Sequence, residues 1–360
     1  MRLVLIGDNM KVLKKFNNKY VTSFLLLVFI FLLTYYFVFR TCDLKLLWKI
    51  IHESDNRFLL VGILMVFANI YLEGASLSIL GQSIGLSIGV VRSFCYSCID
   101  LFYCGITPSA TGGQPVLAYY MSRDGLSISK SSIVILLYTV IYKVVLLFLG
   151  VIVCFGHRDF IMQNRLTFWL FIAGIVINIA IIAACILCMY NRATVKKVVS
   201  GFFKLIGALR IIKNPQAKVD NLNKHLEEYH TSAVFIKDHP SVLIKTFIVT
   251  MAQRIALFSV GYCVYRSFGL TGASFIDIFA LQVVISITVD TLPLPGAVGV
   301  SEAMFLLLYT QVYLEQYIAP AMVLTRGINF YFQLIFTGVI TVIYHFLMTR
   351  PSKCTEGRKI

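Results

Sequence analysis

Two short stretches decide how this chain is read: Ile106-Thr-Pro-Ser-Ala-Thr-Gly-Gly-Gln-Pro115 and Leu292-Pro-Leu-Pro-Gly-Ala-Val-Gly299. Each packs two prolines and two glycines into an apolar neighbourhood. Proline removes a backbone donor and clashes with the preceding turn, so neither stretch continues a regular helix. Set side by side, Pro108-Ser-Ala-Thr-Gly112 and Pro295-Gly-Ala-Val-Gly299 both read P-x-A-x-G. The same alignment places Gln114 opposite Ser301 and Pro115 opposite Glu302, where identity stops. The first break joins an apolar run at 83–105 to a stretch at 116–121 that is too short to span a bilayer. The second joins 275–289 to 303–314. Each unit reads as a re-entrant hairpin that enters, breaks at its tip and leaves on the same side. The competing reading is that Pro and Gly kink ordinary spanning helices.

The surroundings of the two breaks set the class. Of 360 residues, 58% are hydrophobic and 14% charged, with a mean hydropathy of +0.82. Soluble domains carry about 25% charged residues. The composition therefore excludes a soluble globular domain, a disordered chain and a disulfide scaffold. Long unbroken apolar runs at 20–39 and 166–191 replace the short alternation of a β-barrel. The reading is an all-α integral membrane protein, a polytopic helical bundle. Six full spans are expected at 20–40, 58–82, 131–155, 166–190, 241–267 and 322–348, besides the two hairpins. The apolar stripe Leu46, Leu47, Ile50 and Ile51 suggests a helix on the membrane surface.

The net charge is +15, from 32 Lys and Arg against 17 Asp and Glu. In a soluble chain this would suggest nucleic acid. Here no nucleic acid is expected, because basic loops face the cytoplasm and anionic lipid. The N-tail, the 121–130 loop, the 192–240 region and the C-tail hold 5, 2, 9 and 4 basic residues. The loops at 40–57, 157–165 and 266–275 hold 4, 2 and 1. Placing the first set inside puts both termini in the cytoplasm. It also requires the hairpins to enter from opposite faces, which makes the two halves an inverted repeat, a transporter design with its site at mid-membrane. The chain is read as one membrane domain: a first half at 20–190 with its tip at 107–115, an amphipathic cytoplasmic linker at 191–240, and a second half at 241–350 with its tip at 292–302. Within the linker, Val195, Val198, Phe202, Ile206 and Leu209 recur at helical spacing, as do Val219, Leu222, Leu226 and Tyr229.

Charges at bilayer depth are costly unless paired or hydrated, and they mark function. Glu73, Asp100, Lys143, Arg254, Asp290, Glu302 and Arg326 are the candidates. Lys143, Arg254 and Arg326 can grip a lipid phosphate; Asp290 and Glu302 flank the second tip and can pair with an ammonium group or with those bases. Gln114 joins them as a candidate headgroup contact. The alternative is structural ion pairing between helices, with Glu73 and Arg326 near an interface, where Arg326 snorkels. At the tips, Pro108, Pro293 and Pro295 should end the descending half-helices. Thr111 lies at the first break. Gly112, Gly113, Gly296 and Gly299 should allow close approach or unusual backbone. Gly174 and Gly338, inside ordinary spans, should tolerate side chains better. No catalytic residue and no metal site is assigned. The CxxC pairs Cys95/Cys98 and Cys185/Cys188 lie in apolar runs and read as small core residues. No P-loop or HExxH is present, and no cofactor is expected.

The run from Ile106 to Tyr119, followed by Gly125-Leu-Ser, resembles the first signature of the lysylphosphatidylglycerol synthase transmembrane-region family, the membrane half of multiple peptide resistance factor. Leu292-Pro-Leu-Pro-Gly-Ala-Val-Gly-Val-Ser-Glu-Ala303 resembles the second. The resemblance spans nearly the whole chain. It implies a flippase that moves aminoacylated phosphatidylglycerol, or another polar lipid, across a bacterial inner membrane, with a link to antibiotic resistance. In bifunctional relatives a soluble domain transfers lysine from lysyl-tRNA to the lipid. The chain ends about ten residues after its last span, and no such domain is expected here. Gln114 stands where many relatives carry an acidic residue. The expected partners are phospholipids, anionic or aminoacylated phosphatidylglycerol first, with a separate synthase or a second copy of this chain as further candidates. The alternative function is a phosphatidylglycerol lysyltransferase.

Overall fold

The protein is described by a computed structural model covering residues 44–108, 110–162, 164–190, 238–290, 292 and 294–349. The first expected span, both termini, the amphipathic linker and Pro293 lie outside the described residues. Among those described, every element is helical and there is no strand. The order is α1 (Leu44–Glu53), α2 (Asn56–Ser83), α3 (Val90–Ile106), α4 (Gly113–Arg123), α5 (Ile128–Gly156), α6 (Arg158–Met162), α7 (Arg165–Tyr190), α8 (Pro240–Ser267), α9 (Phe275–Val289), α10 (Val300–Leu308), α11 (Glu315–Arg326) and α12 (Gln333–Thr349). A π-helical turn, Gly327–Phe332, joins α11 to α12 into one apolar rod.

Five of these helices are long and apolar enough to cross a membrane: Asn56–Ser83, Ile128–Gly156, Arg165–Met189, Pro240–Ser267 and Glu315–Leu347. They match the five expected spans in this region. The last starts about one to two turns earlier than its apolar pattern suggests, because Pro320 is accommodated inside α11 rather than before it. The outer faces are apolar: Phe148, Val151, Trp169, Val176, Ile248 and Val339 are all exposed. Exposed large apolar side chains on this scale suit lipid and not water.

A long helix, a broken pair and another long helix follow one another twice, as α2, α3/α4, α5 and as α8, α9/α10, α11/α12. The two leading helices pack antiparallel. Asp55 N–H donates to Ser267 O at 2.8 Å, the Asn69 amide oxygen accepts from Arg254 at 3.2 Å, and Ser76 and Thr250 share a hydroxyl bond at 3.2 Å. Partner numbers fall along α8 as they rise along α2. Lipid supplies no hydrophobic drive between helices, so close backbone approach matters. A Cβ on Gly74 of α2 would lie 2.7 Å from the Ser93 carbonyl of α3. Each broken pair also packs on the other half. Gly105 of α3 meets Leu334 of α12, while Gly150 of α5 and Gly174 of α7 meet Ile287 of α9.

This packing overturns the expectation for two glycines. A Cβ on Gly174 would be driven into the Ile287 backbone carbonyl, and one on Gly338 would sit 2.8 Å from the Phe102 ring. Both are close-approach positions. Gly156, with nothing within 4 Å of a built Cβ, is a tolerant position.

Candidate functional site

The two breaks meet. Pro108 and Pro295 form an isolated antiparallel bridge, the only one between tips among the described residues. Their backbones also repeat one another bond for bond. Ala110 N–H donates to Thr107 O at 3.3 Å and Ala297 N–H to Leu294 O at 3.1 Å. Thr111 N–H donates to Pro108 O at 3.3 Å and Val298 N–H to Pro295 O at 3.2 Å. Ala110 and Ala297 both have φ of 51°, and no other described non-glycine residue has positive φ. That left-handed backbone is uncommon away from Gly, Asn and Asp, and its recurrence at the matched alanines of P-x-A-x-G makes the repeat structural.

The halves then diverge where sequence identity stops. Glu302 caps the second half-helix, its carboxylate accepting from Gly299 N–H at 2.7 Å and from Ser301 Oγ at 3.0 Å. Pro115, the matched residue, has no side-chain acceptor, and Thr107 Oγ1 takes the Gly112 N–H at 2.9 Å instead. Gly299 and Gly296 adopt positive φ, 91° and 57°. Gly112 does not, but a Cβ there would collide with Thr107. A Cβ on Gly113 would lie 2.7 Å from the Asp100 carbonyl.

Beside the joined tips lies a cavity of about 510 Å³. Lys143, Arg254, Arg326, Asp290, Gln114, Thr111 and Gly296 line it, as does Ser301, the residue aligned with Gln114. Glu73 and Asp100 line it too. Two of the bases are neutralised. Lys143 Nζ pairs with the Asp290 carboxylate, which also accepts from Tyr142 OH at 3.1 Å. Arg326 pairs through Nε with Glu302 at 2.8 Å, donates through Nη2 to the Gly296 carbonyl at 3.1 Å, and lies over the Phe330 ring. Glu302 therefore sits behind the cavity wall and holds an arginine. Glu73 is 2% exposed, and Arg326 is held between the second tip and the start of the π turn.

Arg254 differs. It is 6% exposed, lies over the Tyr142 ring at 4.7 Å and donates to the neutral Asn69. It has no carboxylate at ion-pair distance among the described residues, and its Nε is buried without a partner. Glu73 accepts from Gln253 at 2.9 Å through one oxygen, while the other, buried, has no donor. Sequence reading missed the neutral residues that organise these charges, notably Asn69, Tyr138, Tyr142 and Gln333. A polar amide inside an apolar run is the signal that marks Asn69 and Gln333; nothing local marks the two tyrosines.

Residues 21–336 match the lysylphosphatidylglycerol synthase TM region. The chain belongs to that family. It is also similar to a UPF0104 membrane protein of Archaeoglobus fulgidus, with 22% identity over 325 residues, covering 87% of this chain and 94% of that protein. Family membership makes this a multi-pass membrane protein, and the family's description names a phospholipid, lysylphosphatidylglycerol. The two P-x-A-x-G tips and the cavity charges all fall within the matched span.

Proposed function

We propose that the protein moves the polar headgroup of a phospholipid between leaflets through this cavity while the acyl chains stay in lipid. The observation that supports the reading is the joining of two half-helix tips beside a polar cavity inside an otherwise apolar bundle. Unwound backbone at membrane depth persists only where protein buries it or where it lines a cavity. Sites of this kind bind between broken helices. A volume near 510 Å³ also falls in the usual range of about 300–1,000 Å³ for small-ligand sites.

In this reading the tips are re-entrant and enter from opposite faces, the termini and the 191–240 linker are cytoplasmic, and the membrane is the bacterial inner membrane. The headgroup is that of phosphatidylglycerol, bare or aminoacylated. Charge decides the energetics. Moving a net positive lipid outward against an inside-negative potential costs about 2.3 kcal/mol per 100 mV, whereas an anionic lipid gains by the same amount.

The test uses purified protein in liposomes with labelled phosphatidylglycerol, lysylphosphatidylglycerol or phosphatidylcholine in one leaflet. Faster leaflet exchange of at least one of the first two is expected. Unchanged exchange of both overturns the reading. Lysyl-tRNA added to the same vesicles is expected to yield no lysylphosphatidylglycerol; its appearance would favour a transferase.

A further inference from the structure

We propose that the Glu73–Asp100 carboxyl pair is a proton site linked to the headgroup site at Arg254, so that the cavity takes up one proton for each anionic phosphodiester it binds. This rests on the reading of the cavity as a headgroup site and adds the ion that accompanies the lipid.

Three observations carry it. First, Glu73 of α2 and Asp100 of α3 are buried and both line the same cavity. Two carboxylates in one buried site cannot both ionise cheaply, so the pair holds a proton. Second, one oxygen of Glu73 has no donor among the described residues. A buried carboxylate oxygen left bare is costly, and a proton on the pair removes that cost. Third, the cavity's charges balance in only one way. Lys143 is neutralised by Asp290 and Arg326 by Glu302. With one shared proton the carboxyl pair carries a single negative charge, and Arg254 carries the opposing positive one.

A phosphodiester on Arg254 upsets that balance. Its oxygens would take the unpartnered Nε and bring one further negative charge beside the carboxyl pair. A proton from solvent then converts the singly protonated pair to two neutral acids, and the cavity returns to neutrality. No bond other than O–H forms. Release of the lipid on the other side frees the proton there, which makes the two move together.

The groups facing this pair are few. Arg254 comes from α8 and Tyr138 from α5, and Cys98 and Cys104 lie on α3. Gln253, a neutral donor, fixes the Glu73 orientation, and Tyr138 OH in turn donates to Gln253 at 3.1 Å. The cysteines and the tyrosine enter as neutral groups at the pH of the test, which leaves the carboxyl pair as the group that takes the proton.

The experiment is calorimetry of the full-length protein in detergent with dihexanoyl phosphatidylglycerol. A phosphodiester keeps its charge between pH 5 and 8.5, so any proton exchanged belongs to the protein. Titrations in two buffers of different ionisation enthalpy count protons. Uptake of about one proton per lipid is expected, with affinity falling by up to about tenfold per pH unit on the alkaline side. The double variant Glu73→Gln with Asp100→Asn should abolish the uptake and flatten the pH dependence, whereas either single change leaves one carboxylate opposite Arg254 and should keep the uptake. Binding by the wild-type protein without proton uptake anywhere in the range overturns the coupling and leaves the headgroup site standing. Uptake that persists in the double variant also overturns it. Absence of binding at every pH overturns both the coupling and the headgroup site.

Discussion

Arg254 is the residue on which the cavity's chemistry turns. A buried guanidinium held only by an amide oxygen and an aromatic face keeps a donor for an incoming anion. A hydrogen bond to a charged group is worth about 1.5–3 kcal/mol, so Arg254→Gln should weaken phosphatidylglycerol binding by roughly ten- to a hundredfold. Arg254→Lys should fall between, because a point charge replaces the planar fork. Calorimetry with the short-chain lipid reads both. Glu302 has a different role. It neutralises Arg326 and caps the second half-helix, so Glu302→Ala leaves a buried guanidinium and an N–H unmet together. Breaking a buried pair costs about 3–5 kcal/mol. A lowered melting temperature in detergent is expected, and an unchanged one would remove Glu302 from the architecture. Among the glycines, Gly299→Leu and Gly113→Leu should impair the protein through backbone strain and collision respectively, with Gly156→Leu as the neutral comparison. The sequence made the charged residues visible individually, since each interrupts an apolar run. Their partners were not visible. Lys143 with Asp290 and Arg254 with Asn69 lie on different helices far apart in the chain, and nothing in local spacing encodes which base keeps a free donor.

The broken helices were the most legible elements. Pro and Gly stop a helix by backbone chemistry alone, and the stops expected at 107–115 and 292–302 coincide with the gaps between α3 and α4 and between α9 and α10. The P-x-A-x-G match extends further than the letters, because the matched alanines share their left-handed φ. The pairing of Pro108 with Pro295 could not be read, since it depends on how the halves dock. It can be tested by oxidation. Paired residues of an antiparallel bridge have Cα atoms about 4.5–5.5 Å apart, within disulfide range. Pro108→Cys with Pro295→Cys, on a background without the native cysteines, should cross-link within one chain under mild oxidant. Failure to cross-link in a folded protein would contradict the joined tips. At the far end of the second hairpin, Ser274 and Asp277 form a capping box for α9. Ser274→Ala should cost about 1 kcal/mol and speed amide exchange in the first turn of α9. The early start of α11 and the π turn after Arg326 escaped the sequence reading, because a proline inside a helix is tolerated when neighbouring helices and local π geometry satisfy the freed groups.

At the scale of the whole molecule, composition alone excluded water as the solvent, and the five described spans follow from length and apolarity. Opposed entry of the hairpins is inferred from charged loops alone; in the bundle α2 docks antiparallel on α8 and the tips meet in an antiparallel bridge. Under the proposed function, the headgroup is selected by the cavity's free donors and acceptors, features that only the assembled bundle has. The most direct test of the central claim is therefore a leaflet-exchange assay in which only the cavity changes. Liposomes containing equal amounts of wild-type, Arg254→Gln or Gly156→Leu protein carry fluorescent phosphatidylglycerol, and a membrane-impermeant reductant quenches the outer leaflet. Wild type and Gly156→Leu should expose the inner pool at similar rates, with Arg254→Gln slower by tenfold or more. Equal rates for all three proteins, or no exchange above empty liposomes, would contradict headgroup passage through this cavity.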